Sequence, residues 1–214
     1  MKGIRTILVK SLSIGCLAFG LFCVAYYFKS RLPFEFSKQY SLHQYVPFKY
    51  LVRDDTLTVS RPGIVMADNF NKWHYFSRWY HIWMQEKKMV DIESSENGYQ
   101  GSACFAILSR SLKSWYISPV VYIRVTPGDR FSFEAVLMKD FPEQTAKLQV
   151  IGYDDRRVMV QKKLAEKSVD PIPGQWGLIR VEFTIPSGIT YITPRIRGAG
   201  LGRTKIDNIR VSMK

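Results

Sequence analysis

The feature that most constrains this chain is the alternation in its last forty or so residues. Within 179–185, Ile179, Val181, Phe183 and Ile185 fall on one side, and Arg180, Glu182 and Thr184 on the other. A period of two is the mark of a strand with one wet face, because successive side chains leave a strand in opposite directions. Pro186, Ser187 and Gly188 close the run as turn residues. Two more strand-like runs follow, Tyr191–Arg197 and Lys205–Val211, separated by the glycine loop Gly198-Ala199-Gly200-Leu201-Gly202. Successive strands joined by short turns, with no helical period between them, predict an antiparallel all-β domain.

Hydrophobic residues make up 46% of the 214 residues, enough for a buried core in one domain plus an appendage. The net charge is +13; Lys2, Arg5 and Lys10 carry three of those charges, leaving ten on the rest. A surface this basic favours anionic neighbours such as phosphate-bearing lipid, acidic polysaccharide, nucleic acid or an acidic protein face. Cys16 and Cys23 lie in an apolar N-terminal run, so Cys104 has no disulfide partner inside the folded part. That part must fold on its core alone.

Residues 11–28 are uncharged and mostly apolar, at the lower edge of what spans a bilayer as a helix. Lys10 can snorkel and let Ile7 to Val9 add a turn. Tyr26 and Tyr27 stand where an interfacial aromatic belt is expected, ahead of Lys29 and Arg31. No small-x-small cleavage site follows the run, which favours an uncleaved signal-anchor over a signal peptide. The expected order is a short basic tail at 1–10, a transmembrane helix at 11–28, an aromatic-rich connector at 29–60 and the β domain at 61–214. A short basic tail before a long domain usually stays inside, placing the domain on the extracytoplasmic side, periplasmic or extracellular. The connector holds Phe34, Phe36, Tyr40, Tyr45, Phe48 and Tyr50, too many aromatics for a flexible linker. It packs on the membrane surface, on a partner membrane protein, or across the sandwich; the residues alone do not choose.

Strand-like runs are read at Ile64–Met66, Ala103–Leu108, Trp115–Ile117, Val120–Val125, Arg130–Val136, Lys147–Tyr153 and Val158–Lys162. Asp154-Asp155-Arg156-Arg157 reads as a hairpin turn. The densest aromatic stretch is Trp73 to Trp83. The loop 198–203 looks like a phosphate cradle only superficially, since no helix follows to supply an N-terminus. His43, His74 and His81 show no metal-pair spacing, and no nucleophile motif is present. Arg195 and Arg197 share a strand face by the period of two. If that face is a groove, its ligand is acidic, because guanidinium binds carboxylate or phosphate by paired hydrogen bonds.

The order of several short motifs resembles the carbohydrate-binding modules of the family 4/9/22 type, which are galactose-binding-like jelly rolls. They are Ile64-Val65…Asn69-Phe70, Gly98…Gly101, Val125-Thr126-Pro127-Gly128-Asp129, Gln149-Val150-Ile151-Gly152-Tyr153-Asp154, Gly174-Gln175-Trp176 and Ile206-Asp207-Asn208-Ile209. The resemblance covers about 61–213. It implies an antiparallel jelly-roll β-sandwich, here behind one transmembrane helix, and a non-catalytic module that binds glycan on one sheet or at the loops of one end. The residues it points to are Trp73, Tyr75, Trp79, Trp83, Trp115 and Tyr116, together with Arg195 and Arg197. Alternate positions in a strand face opposite ways, so about half of such aromatics belong to the core. The resemblance also implies a structural calcium at Asp68, Asn69 and Asp207, although Ala67 and Asn71 stand where oxygen-rich residues are commoner.

The expected function is therefore a membrane-anchored, non-enzymatic module for acidic cell-envelope or extracellular glycan, with nucleic acid disfavoured outside the cytoplasm. The alternative is an accessory or structural subunit of a membrane protein complex, contacting its partner through 29–60 and the sandwich. A topology reporter fused at Lys214 is expected to be active only outside the cytoplasm; activity confined to the cytoplasm would reverse the orientation.

Overall fold

A computed structural model describes residues 55–70, 79, 81–86, 89–99, 103–119 and 121–214. The chain divides into two units, Met1–Arg53 and Asp54–Lys214, and the described residues all belong to the second. The expected membrane span and most of the connector lie outside them. Among the described residues no helix is long and apolar enough to cross a membrane.

Among the described residues, thirteen strands form two sheets. The first sheet holds β1 (Asp55–Thr58), β3 (His81–Met84), β6 (Trp115–Ser118), β7 (Val121–Arg124), β9 (Thr145–Tyr153), β10 (Met159–Val169) and β12 (Tyr191–Ala199). The second holds β2 (Gly63–Asp68), β4 (Val90–Ser95), β5 (Cys104–Ser109), β8 (Arg130–Lys139), β11 (Gly177–Thr184) and β13 (Gly202–Met213). This is the predicted all-β sandwich. Pairing is antiparallel except between β1 and β7, which run parallel. Asp55–Thr58 thus joins the sheet, so the compact unit starts ahead of Arg61. β3 (His81–Met84) carries no alternation of apolar and polar residues; β4 does, with Val90 and Ile92 buried and Asp91 and Glu93 between them less so, but only over four residues.

The core lies between the sheets. β8 contributes Phe131, Phe133, Ala135 and Leu137 from the second sheet; β12 contributes Ile192 and Ile196, and β9 Leu148 and Val150, from the first. Trp79 stacks on Phe133 with ring centroids 6.0 Å apart. Removing such apolar surface from water is worth about 1.5–3 kcal/mol per large side chain. Cys104 is a buried free thiol whose Sγ lies 3.6 Å from the Asn97 carbonyl oxygen. Burial pushes its pKa up, so the group behaves as a small apolar side chain.

β8 is buried along both faces. Its outward Glu134 is clasped by Arg180 (2.7 Å) and Arg210 (3.4 Å), neighbours across β11 and β13. At the end of β8, Lys139 is buried. It donates to the carbonyl oxygens of Pro142 and Gln144 and pairs with Asp170. Gln144 Oε1 accepts the N–H groups of Asp140 and Phe141. This locked turn explains the glycine loop. A Cβ at Gly200 would meet the Gln144 backbone at 3.0 Å, and one at Gly202 would meet the Phe141 ring at 2.6 Å. The glycines make room for the β8–β9 turn, and the loop is a plain connection between β12 and β13.

Gly198 is the tightest contact of this kind. A Cβ there would lie 2.2 Å from the Trp115 ring. Gly198→Ala is expected to destabilise the domain by about 1–3 kcal/mol, the usual cost of overpacking, measured by denaturant unfolding. An unchanged midpoint would mean that the ring has room to move.

Candidate functional site

β12 lies at the centre of the first sheet. It pairs with β9 along its length, and with β7 and then β6 on its other side. Its alternation sends Ile192, Pro194 and Ile196 inward and Tyr191, Thr193, Arg195 and Arg197 outward. Register then decides which residues join them. Arg195 pairs with Gln149 of β9, and Gln149 with Glu166 of β10. Arg197 pairs with Lys147 on one side and Tyr116 on the other, and Tyr116 pairs with Trp83. One outward face therefore carries two cross-strand rows of polar and aromatic residues.

These side chains interlock. The Arg195 guanidinium carbon sits 4.8 Å from the centre of the Tyr116 ring, a cation–π stack. Arg195 Nε donates to Gln149 Oε1. Gln149, fully buried, donates through Nε2 to Glu166 Oε2 at 2.6 Å. Lys147 Nζ donates to Glu166 Oε1 at 3.1 Å, with Lys163 Nζ at 3.9 Å. Arg197 Nη2 donates to Ser114 Oγ at 3.0 Å. Among the described residues, Arg195 Nη1 and Nη2 have no acceptor. Burial lowers the Arg195 pKa against the opposing phenols of Tyr116 and Tyr153. Arginine starts so high that the group stays cationic at neutral pH. Burial raises the Glu166 carboxyl, yet the hydrogen bond and charge of Lys147, with Lys163 and Arg197, together hold it below the usual range.

A second cluster lies further along the same strands. Tyr122 meets Tyr153 and Tyr191 edge-on, at 5.1 and 6.2 Å between ring centres. Arg157, in the turn between β9 and β10, lies 5.0 Å over Tyr122 and 5.4 Å over Tyr191 and donates to Thr56 Oγ1 at 3.0 Å. It adopts φ 60°, a left-handed conformation that costs a non-glycine residue energy. Nothing in the sequence singled out Gln149, Glu166 or these tyrosines, because a face is assembled by register between distant strands.

The residues expected from the sequence divide. Arg195, Arg197 and Tyr116 come together on the outward face, and Trp83 is the register partner of Tyr116. Trp79 and Trp115 are corrections: at 0% and 1% exposure both are core, and neither offers a ring to a ligand. Trp115 faces inward because it alternates with Tyr116, and Gly198 receives its ring. Trp73 and Tyr75 lie outside the described residues. Trp176 meets Tyr99 edge-on at 6.0 Å, a packing contact.

Asp68 and Asp207 also come together. Asp68 Oδ1 accepts the Phe70 N–H at 2.9 Å; Asp207 accepts the N–H groups of Tyr99 (2.8 Å) and Asn208 (2.7 Å). Burial pushes the Asp207 carboxyl up, the two backbone hydrogen bonds oppose this, and the Asp68 charge adds to the rise. These are the contacts of turn anchors, and they restrain Phe70 and Asn208, both in left-handed backbone. Asn69 stands between Asp68 and Phe70. Among the described residues no third His, Cys, Asp or Glu joins the pair. A calcium here would draw the rest of its six to eight oxygens from other groups.

No known family profile matches the sequence, and no curated protein matches it. Solved structures do. One is the enzymatically active domain of bacteriophage CBA120 tailspike protein 4, at 13% identity and TM-score 0.51, covering 64% of this chain and 20% of that one. Another is the CBM22-1–GH10 modules of Clostridium thermocellum endo-1,4-β-D-xylanase 10B complexed with xylohexaose. It is 16% identical with TM-score 0.51, covering 73% of this chain and 29% of that one. The chain thus spans less than a third of either neighbour. At this identity the likeness establishes the fold, a two-sheet β-sandwich, and nothing about the ligand.

The opposite shifts of the two carboxyls give opposite pH signatures. Glu166, depressed, favours the fold above the ordinary glutamate value of about 4.3 and loses that contribution as pH falls through its folded value. Asp207, raised, favours the fold below the ordinary aspartate value of about 3.9 and loses that contribution as pH rises through its folded value. Acidification should therefore shrink any stability advantage of wild type over Glu166→Gln, and move the wild type versus Asp207→Asn difference in favour of wild type. Denaturant unfolding across pH checks both signs, and pH-independent differences would contradict them.

Proposed function

We propose that the outward face of the first sheet binds an acidic polysaccharide of the cell envelope or extracellular space, without catalysis. In this reading residues 11–28 anchor the chain in a membrane with the sandwich on the extracytoplasmic side. The observation that carries it is Arg195. Its guanidinium is half-buried, stacked on Tyr116 and tied at Nε, while its Nη edge has no acceptor among the described residues. An arginine so placed offers two parallel N–H groups to a carboxylate or phosphate. Arg197 and Lys147 lie one register row away and add positive charge to the face. Tyr116 holds the guanidinium plane by its cation–π stack. One neighbour of this fold, the CBM22-1–GH10 modules of a xylanase, is a protein solved complexed with xylohexaose, which supports the ligand class at the level of architecture only.

A second reading, an accessory subunit of a membrane complex, draws on a different surface. Val158, Met159 and Val160 are consecutive, apolar and each more than half exposed at the start of edge strand β10. Such a run suits a protein contact.

Affinity electrophoresis of the protein through polygalacturonate, hyaluronate and neutral xylan gels separates the readings. Wild type should be retarded by an acidic gel, and Arg195→Ala should weaken that retention by about tenfold or more, the worth of a charge-assisted hydrogen-bond pair. No retardation in any gel, together with a co-purifying membrane protein lost when 29–60 are replaced, would favour the accessory subunit. Calcium on Asp68, Asn69 and Asp207 stays part of the proposal; a melting temperature that does not rise in excess calcium over chelator would remove it.

A further inference from the structure

Glu166 presents a paradox on a face read as a site for anions: it is a carboxylate two strands from Arg195. Simple Coulomb reasoning makes it a liability, since a negative charge there repels an acidic ligand. Its contacts say otherwise. Glu166 Oε1 is taken by Lys147 Nζ at 3.1 Å, and Oε2 by Gln149 Nε2 at 2.6 Å. An ionised carboxylate only accepts, so it demands the NH2 end of Gln149. Gln149 is fully buried and has a single carbonyl oxygen, which must then turn to Arg195 Nε. The amide is thereby oriented from one side, and the guanidinium from the other. With Nε tied and the plane stacked on Tyr116, the edge left over is the Nη1/Nη2 pair.

We infer that Glu166 is a positioning residue for acidic ligands: acting through Gln149, it fixes the fork of Arg195 that receives the ligand's carboxylate. This rests on the reading of the face given above. The row Arg195–Gln149–Glu166 crosses three strands in one register. The relay is therefore built into the sheet and does not depend on a mobile loop. It makes a prediction opposite in sign to plain electrostatics. Glu166→Gln removes a negative charge and so should tighten anion binding if charge alone mattered. A glutamine at 166 has one acceptor oxygen for two donors, however. If Lys147 takes that oxygen, the new NH2 faces Gln149, whose amide then turns its own NH2 toward Arg195 Nε, donor against donor.

The test uses the full chain, with oligogalacturonate as the acidic probe and xylohexaose as the neutral one, followed by titration calorimetry. Glu166→Gln should bind oligogalacturonate about tenfold more weakly, the loss expected from one charge-assisted hydrogen bond. Any xylohexaose binding should be unchanged. Gln149→Leu should show the same loss, and the double variant no further one. A second measurement follows the Arg195 Nε–H resonance directly. Its exchange with water should be slow in wild type and accelerated in Glu166→Gln at equal melting temperature. Equal or tighter binding of oligogalacturonate by Glu166→Gln, or an Arg195 Nε–H indifferent to the change, overturns the inference. If wild type binds neither probe, the reading of the face falls, while the Nε–H exchange still decides whether Glu166 orders the fork.

Discussion

The fit of the Trp115 ring against Gly198 is the contact on which the arrangement of the first sheet depends. β12 must send Ile192, Ile196 and Gly198 into the core for Arg195 and Arg197 to face out. Gly198 pairs with Trp115 across the strands, and only the missing Cβ lets the indole lie over that position. A one-residue slip of β6 against β12 would bring a side-chain-bearing residue under the ring and turn Tyr116 inward, because the strand period is two. The packing of one bulky ring into one gap thus holds register for the aromatic half of the candidate site.

On the opposite flank, register is held by polar groups. Gln149 lies on the outward face yet is fully buried, and a buried amide without partners costs about 1–3 kcal/mol per group. Arg195 and Glu166 satisfy it from both sides. The same contacts that make the amide tolerable also orient the Arg195 guanidinium, so one set of hydrogen bonds serves both the packing and the candidate site. The edge strand that supplies Glu166 carries two register irregularities and the exposed lysines Lys162, Lys163 and Lys167. Bulges and lysines on an edge discourage pairing with another chain, which leaves the polar face, more than the strand edge, as the surface offered outward.

Much of the fold was legible because amphipathic strands announce themselves. The runs around Arg130–Val136, Ile179–Ile185 and Tyr191–Arg197 alternate cleanly and lie in β8, β11 and β12. The turn 154–157 closes as predicted, with the Asp154 N–H donating to the Val158 carbonyl oxygen. β3 and β4 were not legible: β3 has no alternation, and in β4 (Val90–Ser95) the alternation of buried Val90 and Ile92 with Asp91 and Glu93 is too short to stand out before its pairing with β5 is known. The candidate site was half legible. Arg195 and Arg197 follow from local period alone. Trp79 and Trp115 do not, since an aromatic on a strand is equally at home on either face until the partner strands are known.

The sequence by itself determined the layered all-β class, the turns, and which residues of a given strand share a side, since those follow from alternation within a few residues. It also determined the excess of positive charge, +13 over the whole chain. Only tertiary structure decided which side of each strand is wet, which aromatics are spent on the core, and that Lys147, Gln149, Glu166, Tyr116 and Arg195 stand together. Those five lie on four strands up to about eighty residues apart in the chain. Their meeting depends on hydrogen-bond register between strands distant in sequence, a property that no local window of residues contains.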